Sequence, residues 1–197
     1  MGDLGLSIMQ WSSVGHGGSG DIAPFIRHWF TPLDFVLDIG CGPRKIIPWA
    51  VGLDRQRGLF AAPDVVRDIE NLVEPVNIIG DAADLRRFSS NAVDAIFSSH
   101  CLEHFDRDDA LAAVDVEWAR VVKPNGLIVL YLPDGRVTQM VGIHQWHPTP
   151  EDFADVCDGW ARLIWEPYQA LPANQVVGSL CHSFLLALRK PACSTNL

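Results

Sequence analysis

A chain of 197 residues has room for one domain with a sizeable core, and 48% hydrophobic with 20% charged residues excludes a disordered or fibrous chain. The formal net charge of −9 argues against a surface that neutralises a phosphate backbone, so nucleic acid is not an expected partner. Five cysteines lie far apart without a Cys-x-x-Cys pair, and no apolar run approaches the roughly 20 residues of a membrane span.

In chain order, "SSVGHGGSG" marks residues 1–20 as an expected flexible arm, without the basic and apolar regions of a secretory leader. A single domain is expected over 21–190, with 191–197 as a tail, in a soluble, cytoplasmic protein. Behind Asp21, an N-cap candidate, Ile22, Phe25, Ile26, Trp29 and Phe30 recur at helical spacing. Five apolar runs then read as strands: "DFVLDIG", "WAVGLD", "VNIIGD", "AVDAIFSS" and "GLIVLYLPD". Their unbroken apolar character predicts a sheet covered on both faces. Between the fourth and fifth, a helix capped near Asp106 or Asp108 turns Leu111, Val114, Trp118 and Val121 inward and stops at "KPNG". Thr149 with Asp152 forms an approximate capping box for a further helix carrying Phe153, Val156 and Trp160. "ARLIWEPYQ" and "CHSFLLALR" then read as two strands pairing antiparallel at the sheet's edge.

An open parallel sheet binds ligands outside the carboxyl ends of its strands, so the residues ending successive strands belong together. Here they are Asp38 to Gly42, Asp54, Asp81, Ser98 to His100, and Pro133 with Asp134. The turn "GCG" lacks the third glycine of a dinucleotide fingerprint, which would fall at Lys45, and Pro43 removes an amide donor. A carboxylate at Asp38 repels a pyrophosphate but suits an amino or cationic group. Asp54 is placed to accept hydrogen bonds from both hydroxyls of a ribose. The turn therefore favours a zwitterionic nucleoside over a dinucleotide.

Taken together, "VLDIGCGP", "VGLD", "IIGDAADL", "VDAIFSSHCLEHF" and "WARVVKPNGLIVLYLPD" resemble class I S-adenosylmethionine-dependent methyltransferases, over roughly half the chain. The compact bacterial members are the nearest in pattern. The resemblance implies a three-layer α/β sandwich around a seven-stranded, mostly parallel Rossmann-like sheet with an antiparallel final strand. It also implies S-adenosylmethionine as cofactor. Asp38, Gly40, Cys41 and Gly42 would cradle the methionine moiety, Asp54 the ribose, Asp81 with Ala82 the adenine edge, and Ser98, Ser99 and His100 would lie beside the methionine. Asp68 in "DVVRDI" rivals Asp81. Residues 43–53 include Pro43 and Pro48, so the usual helix after the glycine turn must be shortened or replaced.

Methyl transfer from a sulfonium needs alignment and exclusion of water, and a hydroxyl acceptor gains from a base. His100, His144, His147 and Asp134 are the candidates, with Trp146 placed to stack on an acceptor. The expected reaction is methylation of a small molecule or glycan, oxygen favoured, with the protein a monomer or homodimer. A cofactor-binding regulator without turnover is the alternative. "HCLEH" also fits the H-x-x-E-H pattern of inverted zinc peptidases, but its expected role is a turn after the fourth strand, with no metal bound.

Overall fold

The computed structural model describes residues 22, 26, 28–42, 45–55, 76–136, 143–164 and 183–193. The proposed arm, Asp21, Phe25, Asp68 and the whole connection 165–182 lie outside them.

All five expected strands form: β1 (Val36–Ile39), β2 (Val51–Asp54), β3 (Val76–Ile79), β4 (Val93–Ser99) and β5 (Val122–Pro133). β6 (Ala161–Ile164) and β7 (Ser183–Arg189) complete a seven-stranded sheet of order β3-β2-β1-β4-β5-β7-β6. Strands β1 to β5 pair in parallel, whereas β7 runs antiparallel to both β5 and β6. The expected antiparallel pair is present, but only β6 lies at the edge. β7 is internal because its apolar run, buried from Ser183 to Leu188, needs cover on both sides.

Alternation along β5 builds the two cores. Leu127, Val129 and Tyr131 join Val36, Phe97, Leu185 and Ala187 on one face, covered by Ile22, Ile26, Phe30 and Ile47. Ile128, Leu130 and Leu132 join Leu37, Ile39, Ile96 and Leu186 on the other, under Val114, Trp118 and Phe153. Burying each such side chain contributes about 1.5–3 kcal/mol, which fixes register as well as stability.

Helix α1 (Arg107–Ala112) continues through a π-helical stretch (Ala113–Trp118) into a closing turn, α2 (Ala119–Val121). Ala110, Val114, Trp118 and Val121 are buried, and Leu111 only partly so. Lys190 Nζ terminates it, donating at 2.8 Å to the carbonyls of Ala119 and Val122. The "KPNG" segment lies within β5, with Asn125 left-handed at φ 64°.

The helix expected after Thr149 is a single 3-10 turn (Pro150–Phe153), although its capping box is present. Carbonyls that would continue it are taken by Arg162 Nη2, which donates to Ala154 and, at 3.2 Å, to Phe153 and Val156. The amide of Cys157 donates instead to Asp115 Oδ1 at 2.7 Å, and Cys157 is left-handed at φ 52°. Apolar spacing alone carried no sign of this competition.

Candidate functional site at the strand tips

Sheet order reverses between β1 and β4, and crevices outside such reversals receive ligands. In register, Ile39 lies opposite Leu53 of β2 and Ser98 of β4, so three tips end together.

Gly40 and Gly42 follow β1 with φ of 69° and 56°, a region glycine enters without strain. Gly40 also has no room for a side chain, because a Cβ would stand 2.5 Å from Cys101 Sγ. The amide of Gly40 donates to Leu53 O at 2.8 Å, and that of Gly42 to Asp54 Oδ2 at 2.9 Å. Asp38 is buried under this turn. Desolvation pushes its carboxyl up to about 7, opposed by the Lys45 ammonium and reinforced by Asp54. Lys45, standing where a third glycine would, donates to Ala50 O at 2.7 Å and Asn77 Oδ1 at 3.0 Å. No helix follows the turn among the described residues 45–50. Burial raises the Cys41 thiol far above its ordinary range.

At the β2 and β3 tips, the amide of Gly80 donates to Asp54 O at 2.9 Å, which brings Asp81 beside β2. A cleft of about 510 Å³ opens there, lined by Arg55, Asp81, Ala83, Phe105, Val116 and Glu117 among others. Its size suits a small organic ligand. The Arg55 guanidinium lies 3.7 Å from Asp81 and 5.4 Å from the centre of the Phe105 ring. Ala82 faces the core instead, its carbonyl accepting from Trp118 Nε1 at 2.8 Å. Of the pair expected at an adenine, Asp81 lines the cleft and Ala82 holds the wall behind it.

At the β4 tip, Ser98 is buried, Ser99 half-buried, and His100 turns back at φ 50° with its amide donating to Tyr131 O at 2.8 Å. His100 Nδ1 lies 3.4 Å from Glu103 Oε1, and Nε2 is 3.2 Å from Ser183 Oγ. The H-x-x-E-H residues are not on one helix, because His100 precedes the 3-10 turn Leu102–His104. Glu103 is fully buried, and neither of its carboxylate oxygens accepts a hydrogen bond. Between them, the Cys101 thiol is pushed up to about 12 by burial and by Glu103 and Asp54.

His144 joins this group, its Nε2 standing 4.0 Å from Glu103 Oε1, and burial lowers its basicity. His147 has a buried Nε2 without a hydrogen-bond partner. Asp134 is buried and accepts from Arg136 through both oxygens, at 2.9 and 2.7 Å. Trp146 is buried and donates to Leu102 O at 2.9 Å, so it supports the loop rather than offering a stacking face. Sequence reasoning missed Arg55, Phe105, Ser183 and the central place of Glu103. Of these, Arg55 adjoins a quoted motif and Phe105 ends one, whereas Ser183 comes from a distant strand.

Residues 37–130 match the family described as "Methyltransferase domain". The fold is that of the class I S-adenosylmethionine-dependent methyltransferases. Among solved structures, a SAM-dependent methyltransferase from Archaeoglobus fulgidus aligns over 86% of this chain and 93% of its own, with TM-score 0.57 and 16% identity. One from Mesorhizobium loti aligns over 89% and 100%, with TM-score 0.58 and 14% identity. A probable methyltransferase, ltbC, of Aspergillus luteorubrus is 25% identical over 120 residues, covering 54% of this chain. The match spans 42% of that relative's length. Both of these solved structures are described as dependent on S-adenosylmethionine. The turn fits such a ligand, since a Cβ on Gly42 would meet nothing within 4 Å and the Asp54 carboxylate stands beside it. No helix among the described residues is long and apolar enough to cross a membrane.

Proposed function

We propose that the chain methylates a hydroxyl of a small-molecule or glycan acceptor in the cytoplasm, using S-adenosylmethionine. The observation that carries this reading is the convergence of the Gly40–Gly42 turn, Asp54 and His100 where the sheet order reverses. When bound, the cofactor supplies a methyl group on an already activated sulfonium.

The chain's own residues bind, orient and move a proton. Asp38, whose carboxyl gains by facing a cation, holds the ligand's ammonium. Asp54 accepts from the ribose hydroxyls while its Oδ2 keeps the Gly42 amide in place. Asp81, with Arg55 and Phe105, receives the base in the 510 Å³ cleft. His100 is the proton acceptor. Glu103 beside Nδ1 favours the tautomer with hydrogen on that nitrogen, so Nε2 presents its lone pair next to the Ser183 hydroxyl. Asp134, held by Arg136, positions the end of β5 instead.

Heat-denaturation scans with S-adenosylmethionine, S-adenosylhomocysteine and NAD test the binding half. A ligand at 100 times its Kd stabilises by about 2.7 kcal/mol, and only the sulfur nucleosides should do so. Methyl incorporation from labelled donor into cell extract tests turnover. A shift without incorporation would favour the regulator, a reading supported by the lack of a helix among the described residues 45–50.

A further inference from the structure

The 3-10 turn Leu102–His104 buries a carboxylate that accepts no hydrogen bond of good length among the described residues. Glu103 is 0% exposed, and both of its oxygens lack a hydrogen bond. Burying a carboxyl group without hydrogen bonds costs several kcal/mol, and a cation beside it would offset that cost. The surrounding atoms are imidazole nitrogens. His144 Nε2 stands 4.0 Å from Oε1 and His100 Nδ1 3.4 Å, separations too long for good hydrogen bonds.

A third imidazole is already oriented. His104 Nδ1 lies 3.2 Å from the carbonyl of Ile143, which can only accept, so Nδ1 carries the hydrogen and Nε2 the lone pair. Metal-binding histidines are held this way, by donating their other ring nitrogen to a backbone carbonyl. Two further bonds fix the loop bearing His144 against the turn bearing Glu103. Gln145 N donates to Glu103 O at 2.8 Å, and Trp146 Nε1 to Leu102 O at 2.9 Å. One donor atom each from Glu103, His104 and His144 consequently falls within 4.8 Å of the others. Donors on a tetrahedral ion stand about 3.4 Å apart, so small side-chain rotations close the set.

We propose that Glu103, His104 and His144 bind one divalent transition-metal ion, with a remaining position for the acceptor hydroxyl. Two imidazoles and one carboxylate suit zinc, manganese, cobalt or iron better than magnesium. The burial gradient fits an open site, with Glu103 buried, His144 intermediate and His104 exposed. The ion lies close to the glycine turn, since Cys101, two residues before Glu103, is the contact that forbids a Cβ on Gly40. The acceptor role rests on the methyltransferase reading. An ion held there would acidify the acceptor hydroxyl: the O–H bond breaks, its proton passes to His100 Nε2, and the oxygen keeps the electron pair for the methyl group.

The test is titration of chelator-stripped full chain with CoCl2, followed by calorimetry and by the visible absorption of ligated cobalt, with MgCl2 as comparison. One equivalent of cobalt should bind, and magnesium should bind far more weakly. His104→Ala, at an exposed position that does not threaten folding, and His144→Ala should each weaken binding by roughly 100-fold or more, and Glu103→Gln likewise. His28→Ala, at another exposed histidine, should leave it unchanged. Absence of stoichiometric cobalt uptake, or undiminished affinity in the His104→Ala/His144→Ala double variant, would overturn the proposal. Cobalt uptake without a thermal shift from S-adenosylmethionine would keep the metal site and remove the methyltransferase reading. A shift without uptake would do the reverse.

Discussion

The amide of Gly42 donates to Oδ2 of Asp54 at 2.9 Å, which makes the bend after β1 and the acid ending β2 a single unit. Asp54→Ala should therefore cost about 1 kcal/mol of stability as well as abolish the thermal shift by S-adenosylmethionine. Asp54→Asn keeps an oxygen for Gly42 and should fold normally. Its NH2 group cannot accept a hydroxyl, so affinity should fall by about tenfold. Urea titration beside the thermal scans separates the two effects, and equal ligand shifts in all three proteins would remove Asp54 from the site.

Gly40→Ala and Gly42→Ala should differ although both glycines are left-handed. Gly42 has open space around it, so alanine there should cost only the backbone strain of about 1–2 kcal/mol. At Gly40 the collision with Cys101 adds to that strain. Cys101→Gly in the Gly40→Ala background should recover the added part, read as a coupling in a double-mutant cycle. Strict additivity would mean the two residues do not meet.

Asp38 gives a pH dependence of unusual sign. Its folded carboxyl lies near 7 against an ordinary 3.8, so the folded state holds the extra proton between those values. Stability from this group is full below about pH 4 and declines as pH rises through 7, with a slope of up to about 1.4 kcal/mol per pH unit. Asp38→Asn should flatten that decline in urea titrations at pH 5, 6, 7 and 8. A wild-type slope matching the variant's would show that Asp38 ionises normally.

Trp118→Phe removes the hydrogen bond that Nε1 donates to the Ala82 carbonyl at 2.8 Å, without emptying the core. Leaving that carbonyl unpaired should cost about 1–3 kcal/mol. It should also loosen the turn at Asp81 and weaken nucleoside binding. Lower stability with unchanged nucleoside affinity would confine Trp118 to the core.

Elements buried by continuous apolar runs were legible in the sequence, because parallel strands need cover on both faces. β1, β2, β4 and β5 and the helix facing them follow from that one requirement, whereas β3, at the sheet's edge, buries only Val76 fully. The segment after Thr149 was misread because Arg162, a few residues on, and Asp115, far back in the chain, take its helical hydrogen-bonding groups. That Asp38, Gly40 and Asp54 lie at neighbouring strand tips was legible because the strands order them in sequence as in space. The position of Glu103 was not, since burial inside a three-residue turn depends on the loop that carries His144 and Trp146. His100 next to Ser183 depends likewise on where β7 inserts.

That insertion bears on how the molecule is made. β7 pairs with β5 along seven residues, from Leu127 opposite Arg189 to Pro133 opposite Ser183. A ribosome releases β1 to β5 well before β7, so for that interval the nascent sheet ends in an unclaimed, wholly apolar border from Leu127 to Leu132. An identical border on a neighbouring polysome is its most dangerous suitor. Productive synthesis thus hinges on how quickly β7 arrives, and a holdase that shields that border should raise the yield of folded product.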